Sequence, residues 1–273
     1  MAQPTLCAVN TALAKFSYAR AASQGNGSED SSAHAERVQR LLTACAHYPK
    51  SDRPLFLAGY GELCRIDLTG KKILEVCCGY GELTRQMARV FPGADVIGMD
   101  RYPEAGGAIV EAREKAGLKN VRYHWGDVLQ LTQIADASLD LIFGQATLHH
   151  LAHDLATVRQ EFSRVLKPGG RLIFIFEPLG HNPVWAMIRA YRIARAALCD
   201  ESNIVLSQLN EIGLSFSQCE VQAFNLLGYP FKALGRFAGE PLMNVIDRLD
   251  TTLMQRSSRL AALAANFNVV FTK

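Results

Sequence analysis

The sequence predicts a doubly wound, mostly parallel α/β sheet of seven strands, finished by an antiparallel hairpin and carrying a helical cap. Three observations predict it. From residue 72 onward, short apolar or β-branched runs alternate with amphipathic helical patterns, as expected when helices cover both faces of a parallel sheet. The most apolar run, Leu-Ile-Phe-Ile-Phe at 172–176, shows no polar alternation and so reads as a strand buried on both faces. After residue 176 the alternation ends, and two further extended runs flank a helical stretch, which suits a closing hairpin.

Taken in order, residues 1–33 read as a flexible arm. An Ala-rich segment leads into Ser-Gln-Gly-Asn-Gly-Ser-Glu-Asp at 23–30, a polar, Gly-containing linker. Val38, Leu41, Leu42 and Cys45 recur at helical spacing within 33–46, and a second helix is expected over 54–64. Strands are expected at 72–76, 95–99, 121–124, 139–143 and 171–176. Helices are expected at 81–90, 105–116, more weakly after Val128, and at 153–165. Then come a helix at 183–198, an extended run at 216–226, a helical stretch at 231–265 broken near 239–241, and a last strand at 266–272. Residues 34–273 thus form one domain, with 183–215 and 231–265 as segments capping a substrate. The string Gly-Tyr-Gly-Glu-Leu occurs at 59–63 and 79–83 with nothing repeating around it.

Composition narrows the function. The chain has 29 basic and 26 acidic residues, scattered rather than clustered, for a net charge of +3. That balance offers no footprint for nucleic acid or an anionic membrane. Seven cysteines, none in a Cys-x-x-Cys pair, suggest neither a disulfide framework nor a zinc site. No basic leader with an apolar run opens the sequence, and no stretch is apolar enough to span a membrane. These features predict a cytoplasmic protein without membrane or nucleic-acid partners and without a metal; a homodimer is left open.

The chemistry gathers at 72–82, Lys-Ile-Leu-Glu-Val-Cys-Cys-Gly-Tyr-Gly-Glu. An apolar strand runs into a turn whose glycines, Gly79 and Gly81, let a ligand approach the backbone. A dinucleotide site wants a third glycine and a turn open to phosphate. Here Thr84 takes the third place, and Glu75 and Glu82 would repel a pyrophosphate. An amine-bearing ligand without phosphates suits this loop better.

At this point the chain resembles the class I S-adenosylmethionine-dependent methyltransferases, nearest the ubiquinone and menaquinone branch. Their first motif, an acid followed by x-Gly-x-Gly-x-Gly, is matched by Glu75 through Gly81, with Cys77 where the family has glycine. A cysteine fits there provided the backbone does not need a positive φ. Further matches are Asp100 and Arg101 ending the second strand, Gly126-Asp127-Val128 after the third, Gln145 through Leu151 after the fourth, and Leu166 through Gly170 before the fifth. The resemblance implies a Rossmann-like methyltransferase fold with S-adenosyl-L-methionine as cofactor. It places Glu75, Gly79, Tyr80, Gly81, Asp100, Arg101, Asp127, Val128 and Gln145 around that cofactor.

His149 and His150 fall at the carboxyl end of the fourth strand, where open α/β sheets bind ligands. His149 is the candidate general base, because imidazole titrates near working pH. The alternative is that the pair simply packs the start of the next helix. His150, Glu177 and His181 are candidate acceptor contacts, the last two in the Glu-Pro-Leu-Gly-His-Asn-Pro run at 177–183. Phe224, Tyr229, Phe231, Phe237 and Met243 are apolar candidates in the cap. The expected function is methyl transfer to an O, N or C atom of a small metabolite by in-line displacement. Rivals are a non-catalytic binding subunit of the same fold and, on the missing third glycine less favoured, a nicotinamide-dependent dehydrogenase.

Overall fold

The computed structural model describes residues 28–48, 52–196, 202–228 and 240–273. Its frame is a seven-stranded sheet in the order β3-β2-β1-β4-β5-β7-β6. The strands are β1 (Lys72–Val76), β2 (Asp95–Asp100), β3 (Val121–Trp125), β4 (Leu139–Gln145), β5 (Leu166–Pro178), β6 (Gln218–Phe224) and β7 (Asn266–Thr272). β1 pairs in parallel with β2 and β4, β2 with β3, and β4 with β5. β7 runs antiparallel to both β5 and β6, which makes the expected closing hairpin. Strand order reverses between β1 and β4, so their carboxyl ends open a crevice there.

Helices cover both faces. They are α1 (Ser28–Leu41), α2 (Arg53–Cys64), α3 (Glu82–Val90), α4 (Gly107–Ala116), α5 (Leu155–Val165), α6 (Pro183–Ala196), α7 (Leu206–Gly213), α8 (Glu240–Arg256) and the short α9 (Ser258–Ala261). Side chains alternate across each strand, and two cores result. Ile73, Leu141, Phe143, Ile173 and Ile175 pack with Leu41 of α1, Phe56 of α2 and Met87 of α3. Leu74, Val76, Ile142, Leu172 and Phe174 pack with Phe162 of α5 and Ile212 of α7. Continuous apolarity in β5 therefore serves two cores at once. Among the described residues no helix is long and apolar enough to cross a membrane.

Four expectations need correction. α1 begins at Ser28, inside the segment read as a flexible arm. The earlier residues of that arm lie outside the described ones. No helix forms after Val128. Asp127 Oδ1 instead accepts the Leu129 N–H at 2.9 Å and closes a turn. Side chains of α5 then satisfy the backbone that follows: Glu161 accepts the Leu131 N–H at 2.9 Å, and Arg164 donates to the Leu131 and Ile134 carbonyls at 3.0 and 3.1 Å. The expected helix at 105–116 opens with a 3-10 turn, Pro103–Gly106, and α4 starts only at Gly107. The stretch 166–170, expected to precede the fifth strand, is drawn into β5, with Leu166 opposite Leu139 and Gly169 at φ +76°.

Candidate functional site

A cleft of about 720 Å³ opens at the carboxyl ends of β1, β4 and β5. Backbone geometry there is unusual at three places. Cys77 after β1 (φ +50°), Ala146 after β4 (φ +52°) and Phe176 in β5 (φ +63°) are all left-handed non-glycine residues, and all three border the cleft. Each such residue costs on the order of 1–3 kcal/mol, and clustering of this kind is a feature of ligand sites. The condition set for Cys77 is therefore not met: the slot does need a positive φ, and the cysteine sits there strained. Phe176 is held at a register shift of the β5–β7 ladder by Asn268, which accepts the Phe176 N–H at 3.0 Å and donates to Leu55 O at 2.9 Å.

The β1 loop is tied down from both sides. Asp100 accepts the Gly79 N–H at 2.8 Å through Oδ2 and the Tyr102 N–H at 3.1 Å through Oδ1. Gly81, at φ +67°, presses its bare α-carbon against Ile109, where a Cβ would come within 2.5 Å. Gly79, at φ +51°, has nothing within 4 Å of where a Cβ would stand. Glu75 lies beneath the loop at 4% exposure and accepts a short hydrogen bond from the Thr84 hydroxyl. Thr84 thus holds the acid rather than opening the turn as a third glycine would. Burial pushes the Glu75 carboxyl up to about 8 and the Cys77 thiol up to about 12.

Across the cleft stands the turn after β4. Its Thr147 and Leu148 N–H groups donate to Glu177 Oε1 at 2.7 and 2.9 Å, and the His149 N–H donates to Glu177 Oε2 at 3.2 Å. His149 Nδ1 lies 2.9 Å from the same Oε2. The ring borders the cleft and stacks on His150, centroids 4.1 Å apart. Gln145 borders it as well, its Oε1 accepting the Tyr60 hydroxyl at 2.5 Å.

Of the residues expected at a site, Glu75, Gly79, Tyr80, Gln145, His149 and His150 border this cleft. Asp100 and Gly81 act from behind the loop. Arg101 lies over the Tyr102 ring at 5.2 Å, Asp127 is engaged in its turn, and Val128 is buried in the core. Two of the acceptor candidates are not brought to the cleft lining. Glu177 is fully buried, so it braces the β4 turn and cannot touch an acceptor. His181 does not border the cleft; it is exposed, and its Nε2 accepts the Leu206 N–H at 3.1 Å, linking the loop before α6 to α7. In the cap, Phe224 is packed in the core away from this cleft. Tyr229, Phe231, Phe237 and the Met243 side chain lie outside the described residues.

Sequence reasoning missed Tyr48, Phe176 and Trp185, which supply aromatic walls. Tyr48 sits 4.9 Å from both Phe56 and Phe176, and the last two stack at 5.1 Å. No local motif marks these residues, because they meet only through the sheet. The carboxylates Asp52, Glu75 and Glu82 border the cleft, and among the described residues no Lys or Arg does. Nor, among those residues, does any group of three or more His, Cys, Asp or Glu side chains suit a metal ion.

Comparison with known proteins bears on the same region. The chain is 39% identical over 114 residues to a demethylmenaquinone methyltransferase of Chlorobaculum parvum, covering 41% of this chain and 44% of that protein. It is 32% identical over 133 residues to a ubiquinone biosynthesis O-methyltransferase of Acinetobacter baumannii, covering 47% and 53%. The chain thus spans about half the length of the curated relatives it matches. The fold is shared with phosphoethanolamine N-methyltransferase 2 of Haemonchus contortus at a TM-score of 0.53 and 22% identity, over 76% of this chain and 49% of that one. Residues 73–170, from β1 into β5, match the family described as methyltransferase domain.

Proposed function

We propose that the protein transfers a methyl group from S-adenosylmethionine to a small molecule held in the β1–β4–β5 cleft. The observation that carries this reading is the pairing of two unlike walls. One wall is the bare Gly79 backbone with Glu75 beneath it; the other is His149, backed by a buried carboxylate. The cofactor suits the first wall on chemical grounds. A Cβ at Gly79 would meet open space rather than protein, so the backbone is free for close approach, and the Asp52 and Glu82 carboxylates in the lining favour a ligand bearing an ammonium and a sulfonium. Gly79, Tyr80 and Glu75 would hold it, with Asp100 shaping the loop.

When bound, S-adenosylmethionine supplies an electrophilic methyl on sulfonium. This chain's residues have three tasks. The β1 loop and the β4 turn orient the two reactants, which is where most of the acceleration of a displacement originates. The aromatic walls exclude water, with Trp185 of α6 forming part of a cap. His149 accepts a proton where the acceptor atom carries one. An acidic cleft without a described cation favours a neutral or cationic acceptor over a phosphate or carboxylate. A quinol or phenol, as the relatives' names suggest, meets that requirement. The reading places the protein in the cytoplasm, with no nucleic-acid partner.

Isothermal titration with S-adenosylhomocysteine and with NAD tests the cofactor. Saturable binding of the first and none of the second is expected; the reverse would make a dehydrogenase of it. Labelled S-adenosylmethionine incubated with host metabolite extract should then yield a labelled product. Tight cofactor binding without any product would favour a non-catalytic subunit.

A further inference from the structure

We propose that Glu177 is a positioning residue that fixes the tautomer of His149, keeping the proton on Nδ1 so that Nε2 presents a lone pair to the cleft. The proposal rests on the reading of His149 as a base and assigns a task to a residue that cannot reach the acceptor. Glu177 is fully buried, and four N–H positions converge on its two oxygens: the backbones of Thr147, Leu148 and His149, and His149 Nδ1. A carboxylate only accepts hydrogen bonds. At 2.9 Å from Oε2, Nδ1 must therefore carry the hydrogen, and in the neutral ring Nε2 is then the acceptor. Among the described residues only Nδ1 of the ring is hydrogen-bonded, and His149 borders the cleft.

The same oxygens fix the ring's place. Glu177 holds the backbone of the turn that bears His149, so ring orientation and tautomer depend on one side chain. Ala146, with its left-handed backbone and its N–H bonded to Ile175 O at 2.9 Å, starts that turn off β4 and brings it over Glu177 on β5. A histidine that merely packed a helix start would need neither a buried carboxylate nor a fixed tautomer. Burying a carboxylate is costly unless every donor is in place, and here the donors are the turn itself.

The test is long-range ¹H–¹⁵N NMR of the imidazole nitrogens in the full chain, with His149 assigned by loss of its signals in His149→Gln. The wild-type ring should show hydrogen on Nδ1. In Glu177→Gln the amide oxygen can still accept from Thr147 and Leu148, while its NH₂ takes the place of Oε2, opposite the His149 N–H and Nδ1, and drives the ring hydrogen to Nε2. The two ¹⁵N resonance positions should then interchange, and Glu177→Asp should restore the wild-type pattern. A wild-type ring with hydrogen on Nε2, or a Glu177→Gln spectrum unchanged from wild type, would overturn the proposal. Should Glu177→Gln fail to fold, the wild-type tautomer decides alone. S-adenosylhomocysteine titrated into the same samples keeps the two questions apart, because absent binding refutes the cofactor reading without touching the tautomer.

Discussion

The pentapeptide Gly-Tyr-Gly-Glu-Leu occurs at 59–63 and again at 79–83, and the two copies share neither conformation nor task. The first lies inside α2. Its Tyr60 is fully buried, its Glu62 bonds Arg65 and, at 3.0 Å, Gln222, and its Gly59 lets the helix approach Ile175 of β5. The second is the turn after β1 that leads into α3, proposed above to hold the cofactor. Its glycines both have positive φ, and its Tyr80 is 74% exposed. The difference teaches that five residues, two of them glycine, carry no conformation of their own. Flanking sequence decides: Arg53 and Pro54 start a helix with apolar positions ahead of the first copy, whereas a buried central strand delivers the second at the carboxyl end of the sheet.

The sharpest way to break this comparison is Gly81→Ala. An alanine there must hold φ near +67° and place its Cβ 2.5 Å from Ile109. Left-handed backbone costs about 1–2 kcal/mol and overpacking a further 1–3, so denaturant titration should show a loss of roughly 2–5 kcal/mol. A loss under half a kcal/mol would mean that the loop has an alternative backbone and that its geometry is not dictated by glycine.

That dependence on backbone explains what could be read in advance. Strand and helix periods gave the sheet, because apolar alternation follows directly from which core each side chain enters. The β1 loop was legible because glycine is a backbone instruction written in one letter. Cys77 was not: a residue that adopts φ +50° under constraint looks, in sequence, like any small residue. The segment after Val128 was misread because its backbone partners, Glu161 and Arg164, come from α5 some thirty residues on. Glu177 was expected at the site as an acceptor contact, and only the fold shows it beneath the turn rather than in the cleft lining. Tyr48, Phe176 and Trp185 meet through the same long-range packing.

Glu75 gives a second way to sharpen the contrast, since the second copy leans on this buried acid through Thr84. Burial raises its carboxyl to about 8 from an ordinary 4.5. Between those values the folded state binds a proton that the unfolded chain has released. Its contribution is therefore fully present below about pH 4.5 and is lost as pH rises through 8, by up to about 1.4 kcal/mol per pH unit. Denaturation of the wild type at pH 5.5 and 7.5, set against Glu75→Gln, should show a decline that the glutamine variant lacks. Parallel behaviour of the two proteins would mean that Glu75 is ionised in the folded loop.

The smallest effect is also the most direct on the pair, because one substitution should act with opposite signs in the two copies. Gly61 lies within α2, and a Cβ there meets nothing within 4 Å, so Gly61→Ala should stabilise by about 0.5–1 kcal/mol through reduced backbone entropy in the unfolded chain. Gly79 also has open space around a Cβ, but its φ is +51°. Gly79→Ala should therefore destabilise by about 1 kcal/mol, and its methyl should intrude where the cofactor approaches, weakening S-adenosylhomocysteine by tenfold or more on the order of 1.4 kcal/mol. Gly61→Ala should leave that affinity within twofold. Equal stability changes in the two variants would show that backbone conformation does not separate the copies, and the contrast between helix and loop would then have to rest on side-chain packing alone.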